Sequence, residues 1–279
     1  MIKFLVDSAS DYEKAETEKK GILRIPITIT LKDKNILDGE ITKDEFYQLV
    51  QNADELPKTS QPSPQDFLDV FEKAKENDDE LICILLSSKL SGTLQSATLA
   101  KSMAGYDKIH IIDSLSATYV IKMMTEYGIQ LRDSGKNALE IVDELEKMKS
   151  KIKLYAVLDT LENLKKGGRL STVEAGIGTL AKIKPLVTLT EDGKVGMKGK
   201  SIGRKKALAD IVKLVEKENI NTNYPIYNIY SYGMDNNKLF LDKLNEIGIA
   251  PDESLQIGPT IGTHIGPGAY GIIFVKNNC

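Results

Sequence analysis

One six-residue apolar run constrains the fold of this chain more than any other stretch. Residues 81–86 read LICILL, and an unbroken apolar run of this length is typical of a strand buried on both faces of a parallel sheet. The polar segment SSKLSGT follows at residues 87–93, and the helical spacing of apolar residues begins at Leu94. The sequence therefore predicts a buried strand, a glycine-containing loop and the start of a helix.

The loop after this strand is a candidate ligand site. In open α/β sheets, ligands bind at the carboxyl ends of the strands, and the unpaired N–H groups at a helix start favour an anion. Gly92 lets the backbone approach a ligand closely, while Ser91, Thr93 and Ser96 offer hydroxyl groups. These residues predict a site for an acidic head group. The alternative is that Ser91 only caps the helix.

The order of predicted strands and helices indicates the fold class. Up to residue 150 they alternate, which is typical of a mostly parallel sheet with helices on both faces. The predicted strands of this part are residues 4–6, 25–31, 81–86 and 108–113. Beyond it, the turn at Asp192 and Gly193 joins two strands in a hairpin, which predicts a mixed sheet. We therefore expect one α/β unit of two lobes, residues 1–151 and 152–279.

Two segments rich in proline or glycine are predicted to be irregular loops. Residues 56–64 contain three prolines, which stiffen the chain and disfavour regular structure. This loop also offers three donor side chains: Thr59, Ser60 and Gln61. Residues 259–268 surround His264 with glycines and prolines, a composition that suits close approach to a ligand. A further helix is predicted to begin at Ser171 and to end before Pro185.

Composition excludes several classes of protein. The chain has 279 residues, of which 41% are hydrophobic, yet no apolar run approaches the length of a membrane span. The start MIKFLVDSASD does not resemble a secretory signal, and the net charge of -3 argues against a dedicated nucleic-acid binder. Two cysteines, Cys83 and Cys279, are too few for a metal site or a disulfide framework. We therefore expect a soluble cytoplasmic protein without a metal.

Two alternative functions use the same residues. A lipid esterase or thioesterase would use Ser91 as nucleophile and His264 as base, although Lys89 stands where a G-x-S-x-G elbow needs its first glycine. No carboxylate can be assigned as the third member of a triad. The second alternative is a phosphate or sugar-phosphate binding protein that uses the helix start at Gly92. Two basic groups would assist it: Lys165, Lys166 and Arg169, and Arg204, Lys205 and Lys206.

Five segments together resemble one family. They are VDSASD, KTSQPS, SSKLSGTLQSA, KKGGRLS and GTHIGPGAYG, which begin at residues 6, 58, 87, 165 and 262. In this order, and across nearly the whole chain, they are similar to the DegV family of fatty-acid-binding proteins. The resemblance implies two α/β lobes with a long-chain fatty acid buried between them. It also implies a separate fatty acid kinase that uses ATP to convert the bound acid into an acyl phosphate for phospholipid synthesis.

The same resemblance implies roles for particular residues. Thr59 and Ser91 would hydrogen-bond the carboxylate of the acid. Three further residues would lie close to it: Ser60, Gly92 and Thr93. His264 would lie near the same head group, at the mouth that the kinase must reach. Arg169 and Arg204 match basic positions associated with kinase docking.

The resemblance to this family therefore implies that the protein is a bacterial lipid carrier and not an enzyme. The chain would bind a long-chain fatty acid such as palmitate, would need no cofactor, and would depend on the kinase because it has no nucleotide-binding motif of its own. Burying roughly fifteen methylene groups at about 0.8 kcal/mol each contributes about 12 kcal/mol before ordering costs. The carboxylate would require surrounding hydroxyl and N–H donors, which the serine and threonine loops supply.

Overall fold

A computed structural model describes residues 1–170 and 183–277. In chain order the strands are β1 (Ile2–Asp7), β2 (Leu23–Ile25), β3 (Thr28–Leu31), β4 (Lys34–Leu37), β5 (Lys58–Ser60), β6 (Glu80–Leu85), β7 (Ile109–Asp113), β8 (Ile152–Val157), β9 (Ile183–Leu189), β10 (Val195–Ile202), β11 (Tyr227–Tyr230), β12 (Glu253–Gln256) and β13 (Tyr270–Val275). The helices are α1 (Lys14–Lys20), α2 (Lys43–Gln51), α3 (Pro64–Glu76), α4 (Thr93–Ala104), α5 (Tyr119–Asp133), α6 (Ala138–Lys149), α7 (Glu162–Lys166), α8 (Arg204–Glu216), α9 (Asp235–Glu246) and α10 (Pro259–Ile265).

The N-terminal sheet is fully parallel, and the apolar run is its strand β6. The strand order is β2-β1-β6-β7, so β6 has a neighbour on each side. Leu81 and Cys83 pack with α3 and α4 on one face of the sheet, whereas Ile82 and Ile84 pack with α5 and α6 on the other. Because both faces are covered, neither set of side chains needs to be polar. The prediction of a buried parallel sheet between two layers of helices is confirmed.

The C-terminal sheet is mixed, as the Asp-Gly turn predicts. Its order is β10-β9-β8-β13-β11-β12, in which β11 and β12 are parallel and the other neighbours are antiparallel. Gly193 closes the hairpin between β9 and β10 with a φ of 84°. Helices α8 and α9 cover one face of this sheet. The other face is directed toward the N-terminal lobe, with α5 between the two sheets: Val120 shares one buried cluster with Phe4 of β1 and Ile273 of β13.

A third sheet corrects two of the sequence predictions. The single strand predicted over residues 25–31 is divided at Pro26, because proline has no N–H group to continue the hydrogen-bond ladder. Strand β2 before it joins the parallel sheet, whereas β3 after it pairs antiparallel with β4 and β5. Strand β5 also lies inside the segment 56–64 that was expected to be irregular. The prolines flank β5 at 57, 62 and 64, so the N–H groups of residues 58–60 remain free to pair.

The segment around His264 is a helix and not the expected loop. Helix α10 has Pro259 in its first turn, where the missing N–H group is not needed. Gly262 lets α10 lie directly against α2, because a Cβ at this position would be 2.5 Å from the Tyr47 hydroxyl. Although α10 follows the C-terminal strands in sequence, it packs against α2, β3 and β5 of the N-terminal part.

Some sequence predictions concern residues that the structure does not describe. The helix predicted from Ser171 falls on residues 171–182, and Cys279 also lies outside the described residues. Within residues 1–170 and 183–277, no helix combines the length and the apolar character that a bilayer crossing requires. The same residues contain no group of three or more side chains able to hold a metal ion.

Candidate functional site

A cavity of about 380 Å³ lies between the two lobes, within the usual size range of small-molecule sites. Its walls are mainly aliphatic: Ile27, Leu86, Leu90, Ala117, Leu154, Ala156, Leu158, Leu164, Val187, Leu189, Val195, Ile229, Ile257, Ile261 and Ile265. The lining also includes polar side chains: Thr59, Ser60, Gln61, Ser91, Thr118, Arg169, Thr188, Thr260 and His264. The cavity therefore suits a molecule with a long apolar part and a small polar group.

Thr59 and His264 form the hydrogen bond at the centre of the polar part. Strand β5 carries Thr59 and helix α10 carries His264, and Thr59 Oγ1 lies 2.8 Å from His264 Nε2. The other ring nitrogen, Nδ1, is buried without a hydrogen-bond partner among the described residues. Gly167 lies against it, since a Cβ at that position would be 2.6 Å from Nδ1. Burial, assisted by the charge of Arg169, lowers the pKa of His264 to about 4, so the ring is neutral at pH 7.

Ser91 lies one residue before the N-cap of α4. The N-cap is Gly92, where no side chain makes a capping hydrogen bond. Ser91 Oγ lies 2.8 Å from Thr93 Oγ1 and also accepts a 3.3 Å hydrogen bond from the Thr93 N–H. Ser91 thus satisfies one first-turn N–H group of α4 from the position before the N-cap, which is a local capping role. Ser91 is also one of the residues that line the cavity.

Gly92 allows the β5 segment to pack on the start of α4. A Cβ at Gly92 would overlap the side-chain amide of Gln61, and that amide donates a 3.1 Å hydrogen bond to Ser96 Oγ. Thr93 is buried beneath the loop. It is not one of the described residues that line the cavity. Gly92 and Thr93 thus support the polar lining from behind. Gln61 is a lining residue to which the family resemblance assigned no role, although it is one of the three donors predicted in this loop.

The two arginines occupy different environments. Arg169 lines the cavity, and its Nε donates a 3.0 Å hydrogen bond to the Leu90 carbonyl. Arg204 is the first residue of α8, and its side chain is 68% exposed, with Nη2 3.8 Å from Asp159 Oδ1. The described residues that line the cavity do not include Arg204. Of the residues to which the family resemblance assigns a role, the structure brings five into the lining: Thr59, Ser60, Ser91, Arg169 and His264.

A second pocket, of about 600 Å³, adjoins the polar part of the cavity. Thr59, Arg169 and His264 line both spaces. The second pocket is also lined by Lys58 and Lys166 and by the acidic residues Asp54 and Glu55, so its wall carries charges of both signs. The three shared residues are therefore accessible from the apolar cavity on one side and from a polar recess on the other.

The VDSASD segment supports the site without lining it. Asp7 accepts hydrogen bonds from the N–H groups of Leu86 (2.7 Å) and Ala9 (2.9 Å), which fixes the chain where β1 and β6 end. Asp11 accepts from the N–H of Gly258 (3.0 Å), just before α10. Both carboxyl groups are buried, and burial raises the pKa of each to about 7. These aspartates therefore hold the ends of the strands and the start of α10 in place.

A buried ion pair also holds α10. Arg24 Nη2 lies 3.0 Å from Asp38 Oδ1, and Nη1 donates a 2.8 Å hydrogen bond to the Asp38 carbonyl. The other carboxylate oxygen, Asp38 Oδ2, accepts hydrogen bonds from the N–H (3.1 Å) and hydroxyl (2.5 Å) of Thr260. Since Thr260 and His264 are on the same helix, this pair positions the histidine. Sequence reasoning missed it because residues 24, 38 and 260 are far apart along the chain.

The geometry does not support a Ser–His hydrolase. The Ser91 hydroxyl is hydrogen-bonded to Thr93, and His264 Nε2 is hydrogen-bonded to Thr59. His264 Nδ1 has no carboxylate to orient the ring within the described residues. A histidine whose pKa is about 4 is also a weak general base near neutral pH.

Fold and cavity together define a class: a two-lobed α/β protein that encloses a mainly apolar cavity with a polar part. The family model for DegV, described as a family of uncharacterised proteins, matches residues 1–277, and the chain belongs to this family. A DegV domain-containing protein of Caldanaerobacter subterraneus is 34% identical over 285 residues, which cover 98% of each chain.

Solved structures of the family share the fold. A fatty-acid-binding DegV family protein of Thermus thermophilus is 31% identical, covers 99% of each chain and superposes with a TM-score of 0.86. A fatty-acid-binding DegV family protein of Streptococcus agalactiae is 25% identical and has a TM-score of 0.90 over 100% of this chain and 99% of its own. The family resemblance noted from the sequence motifs is confirmed, and so is the α/β fold class.

Proposed function

We propose that this chain binds a long-chain fatty acid in the cavity and presents its carboxylate to a separate ATP-dependent kinase. The observation that carries the proposal is the polarity of the lining. The cavity is aliphatic along most of its wall, and its described lining contains hydroxyl groups, an arginine and a neutral histidine but no acidic side chain. An anionic head group would therefore meet donors without charge repulsion. The solved relatives named as fatty-acid-binding proteins support the same ligand class.

The head group would be held by Thr59, Ser60 and Ser91. A carboxylate that leaves water needs several hydrogen-bond donors, and hydroxyl groups can rotate to provide them. The neutral ring of His264 can donate from Nε2 to Thr59, which leaves the Thr59 hydroxyl hydrogen free for the acid. The positive charge of Arg169 would add to the attraction from the edge of the cavity.

The kinase would reach the carboxylate through the polar recess. In that step a carboxylate oxygen attacks the terminal phosphorus of ATP, the new O–P bond forms and ADP leaves, which gives an acyl phosphate for phospholipid synthesis. Hydroxyl donors leave electron density on the carboxylate for this attack, whereas a directly bound cation would withdraw it. We assign Arg169 and the exposed Arg204 to docking of the kinase. In this proposal the chain is a cytoplasmic bacterial carrier without a cofactor, and the lobes 1–151 and 152–279 act as one unit.

Mass spectrometry of the bound lipid tests the proposal. The purified protein is extracted with organic solvent, and the extract is compared with that of a Thr59→Ala and Ser91→Ala double variant. The matched control is Thr30→Ala with Ser88→Ala, because Thr30 is one residue past the Ile29 partner of Thr59 and Ser88 is exposed at the start of the Ser91 loop. We expect about one long-chain acid per chain in the native and control proteins and much less in the double variant.

The outcomes separate the parts of the proposal. If the native protein holds no acid even after one is offered, the fatty-acid function is wrong. If the double variant retains as much acid as the native protein, the head-group assignment is wrong. The kinase step is tested by adding a bacterial fatty acid kinase and ATP and trapping acyl phosphate with hydroxylamine. Acyl phosphate formed by the chain alone, or turnover of an acyl ester, would contradict a carrier role.

A further inference from the structure

A third cavity adjoins the cavity between the lobes, which is called the acyl cavity from here on. It has a volume of about 280 Å³ and lies where the ends of β7 and α6 meet the β9–β10 hairpin. Among residues 1–170 and 183–277, the two residues that line both this space and the acyl cavity are Leu154 and Leu189. A pair of leucine side chains therefore separates two spaces whose combined volume is well above that of either one.

The strand register places these leucines opposite each other. In the antiparallel pair β8–β9, Tyr155 faces Thr188, so Leu154 and Leu189 face each other one residue further along. Side chains two residues apart point to the same face of a strand, and accordingly Leu154 and Ala156 both line the acyl cavity. Leu154 and Leu189 are only half-buried, although their neighbours on this face are buried, because they have free space on both sides.

Strand β8 leads from this pair to the polar part of the cavity. Leu158, just past its last residue, packs in one cluster with Leu164 and Ile265. Leu164 belongs to α7, and the Gly167 that follows this helix touches the His264 ring. Leu158 and Leu154 thus mark opposite ends of one wall, about 13 Å apart at 3.3 Å per residue. The leucine pair lies at the end where the tail of a bound acid would finish.

The space behind the pair could accept more of an apolar chain. Its lining continues the aliphatic surface with Leu115, Val120 and Ile152 and also contains two buried serines, Ser114 and Ser116. Its outer rim is polar and includes Glu146, Lys149 and Glu191. An acyl chain that passed the leucines would therefore have aliphatic and uncharged side chains to contact, whereas Glu146 and Glu191 are exposed to solvent.

We propose that Leu154 and Leu189 form the end wall of the acyl site and set the longest chain that the protein accepts. This inference rests on the proposed fatty-acid function. An acid is then accepted only if its tail fits without displacing this pair. The space behind the two leucines is used only when the pair is removed.

The test is the chain-length profile of Leu189→Ala. The protein is freed of lipid, offered an equimolar mixture of saturated fatty acids of successive even lengths, and the bound acids are measured by mass spectrometry. The substitution removes three side-chain carbons from the wall, so we expect the preferred acid to lengthen by about two carbons. The preference for that longer acid over the native optimum should rise about tenfold, from the burial of two further methylene groups.

Leu158→Ala is the matched control, because it removes the same three carbons from the same face at the opposite end of the wall. It enlarges the cavity without opening the partition, so its profile should keep the native optimum. Leu189→Phe fills the end of the site and should shift the optimum to shorter acids, which tests the wall even if the alanine variant folds poorly.

Three results would overturn the inference. They are an unchanged profile in both Leu189 variants, an equal lengthening in Leu158→Ala, and a lengthening in Leu189→Phe. In each of these cases the native protein still binds a fatty acid, so the proposed function survives. If the native protein binds no acid from the mixture, the proposed function fails, and the end wall fails with it.

Discussion

Replacing Arg24 with methionine should destabilise the protein strongly, and more at neutral than at acidic pH. Arg24 is the ion-pair partner of Asp38, whose carboxylate also accepts two hydrogen bonds from Thr260 of α10. Both side chains are largely buried, at 11% and 5% exposure. Methionine retains much of the apolar stem of arginine, so the substitution chiefly removes the charge and the hydrogen bonds.

The burial of the Arg24–Asp38 pair sets the expected loss in the free energy of unfolding. Removing one partner of a buried ion pair typically costs about 3–5 kcal/mol, because the remaining charge is left without compensation. We expect the lower end, about 3 kcal/mol, since Arg24 Nε is itself buried without a partner among the described residues and its desolvation penalty disappears with the side chain. An unfolding entropy of about 2.1 cal/mol/K per residue gives about 0.6 kcal/mol/K for the chain of 279 residues. The melting temperature should therefore fall by about 5 °C.

The pH dependence of the stability loss shows whether the uncompensated Asp38 carboxylate is its cause. Burial raises the pKa of Asp38, and the charge of Arg24 is the strongest influence that opposes this shift. A carboxyl group with a raised folded pKa contributes stability that is fully present below its unfolded pKa of about 3.9 and is lost as the pH rises through the folded value. Without Arg24 the folded pKa of Asp38 rises further. The loss of stability in the variant should therefore be larger near pH 7.5 than near pH 5.

Thermal unfolding of lipid-free protein at the two pH values measures this effect. Arg204→Met is the control, because Arg204 is exposed and 3.8 Å from its nearest carboxylate, so its removal should change the free energy of unfolding by less than about 1 kcal/mol. Adding Asp38→Asn to Arg24→Met removes the uncompensated charge and should restore part of the stability. Equal losses at both pH values, or no recovery in the double variant, would refute the reasoning.

Three further substitutions test the site and its supports. Gly92→Ala places a methyl group on the Gln61 amide, and it should weaken fatty-acid binding, measured by titration calorimetry, more than it lowers the melting temperature. His264→Gln should flatten the fall in melting temperature between about pH 6.5 and 4, because a histidine whose pKa is lowered to about 4 loses its contribution to stability as the pH falls through that window. Gly193→Ala should lower the free energy of unfolding in urea by about 2 kcal/mol or more, since φ is +84° and the methyl group would overlap a buried serine hydroxyl. Gly135→Ala is its control, with φ +93° but open space around the added Cβ, and an equal loss in both would contradict the steric part of the argument.

Features that depend on neighbouring residues could be predicted from the sequence. Thr42 and Glu45 have the T-x-x-E spacing of a capping box, and both hydrogen bonds of the box are present at the start of α2. The same holds for Asn137 and Glu140 at the start of α6. In these cases the deciding contacts lie within four residues, so no knowledge of the fold is needed.

Features that depend on distant contacts were missed. The alternation of isoleucine and threonine over residues 25–31 predicts one strand, but the ladder ends at Pro26 and the two halves join different sheets. His264 was expected in a loop because the local composition is rich in glycine, yet packing of Gly262 against Tyr47 favours a helix. The polar lining was largely predicted through the family motifs and the donor-rich loop that contains Gln61, whereas the Arg24–Asp38 pair became evident only from tertiary packing.

The central position of β13 has a consequence for the order in which the protein folds on the ribosome. Strand β13 pairs with β8 on one side and with β11 on the other, although it is made after both. Until it emerges, β8–β10 and β11–β12 are separate pieces with unpaired edges, which are prone to associate with other chains. The N-terminal parallel sheet needs no later strand and can form during synthesis. The C-terminal sheet, and with it the wall of the cavity, must therefore be completed after translation has passed residue 275.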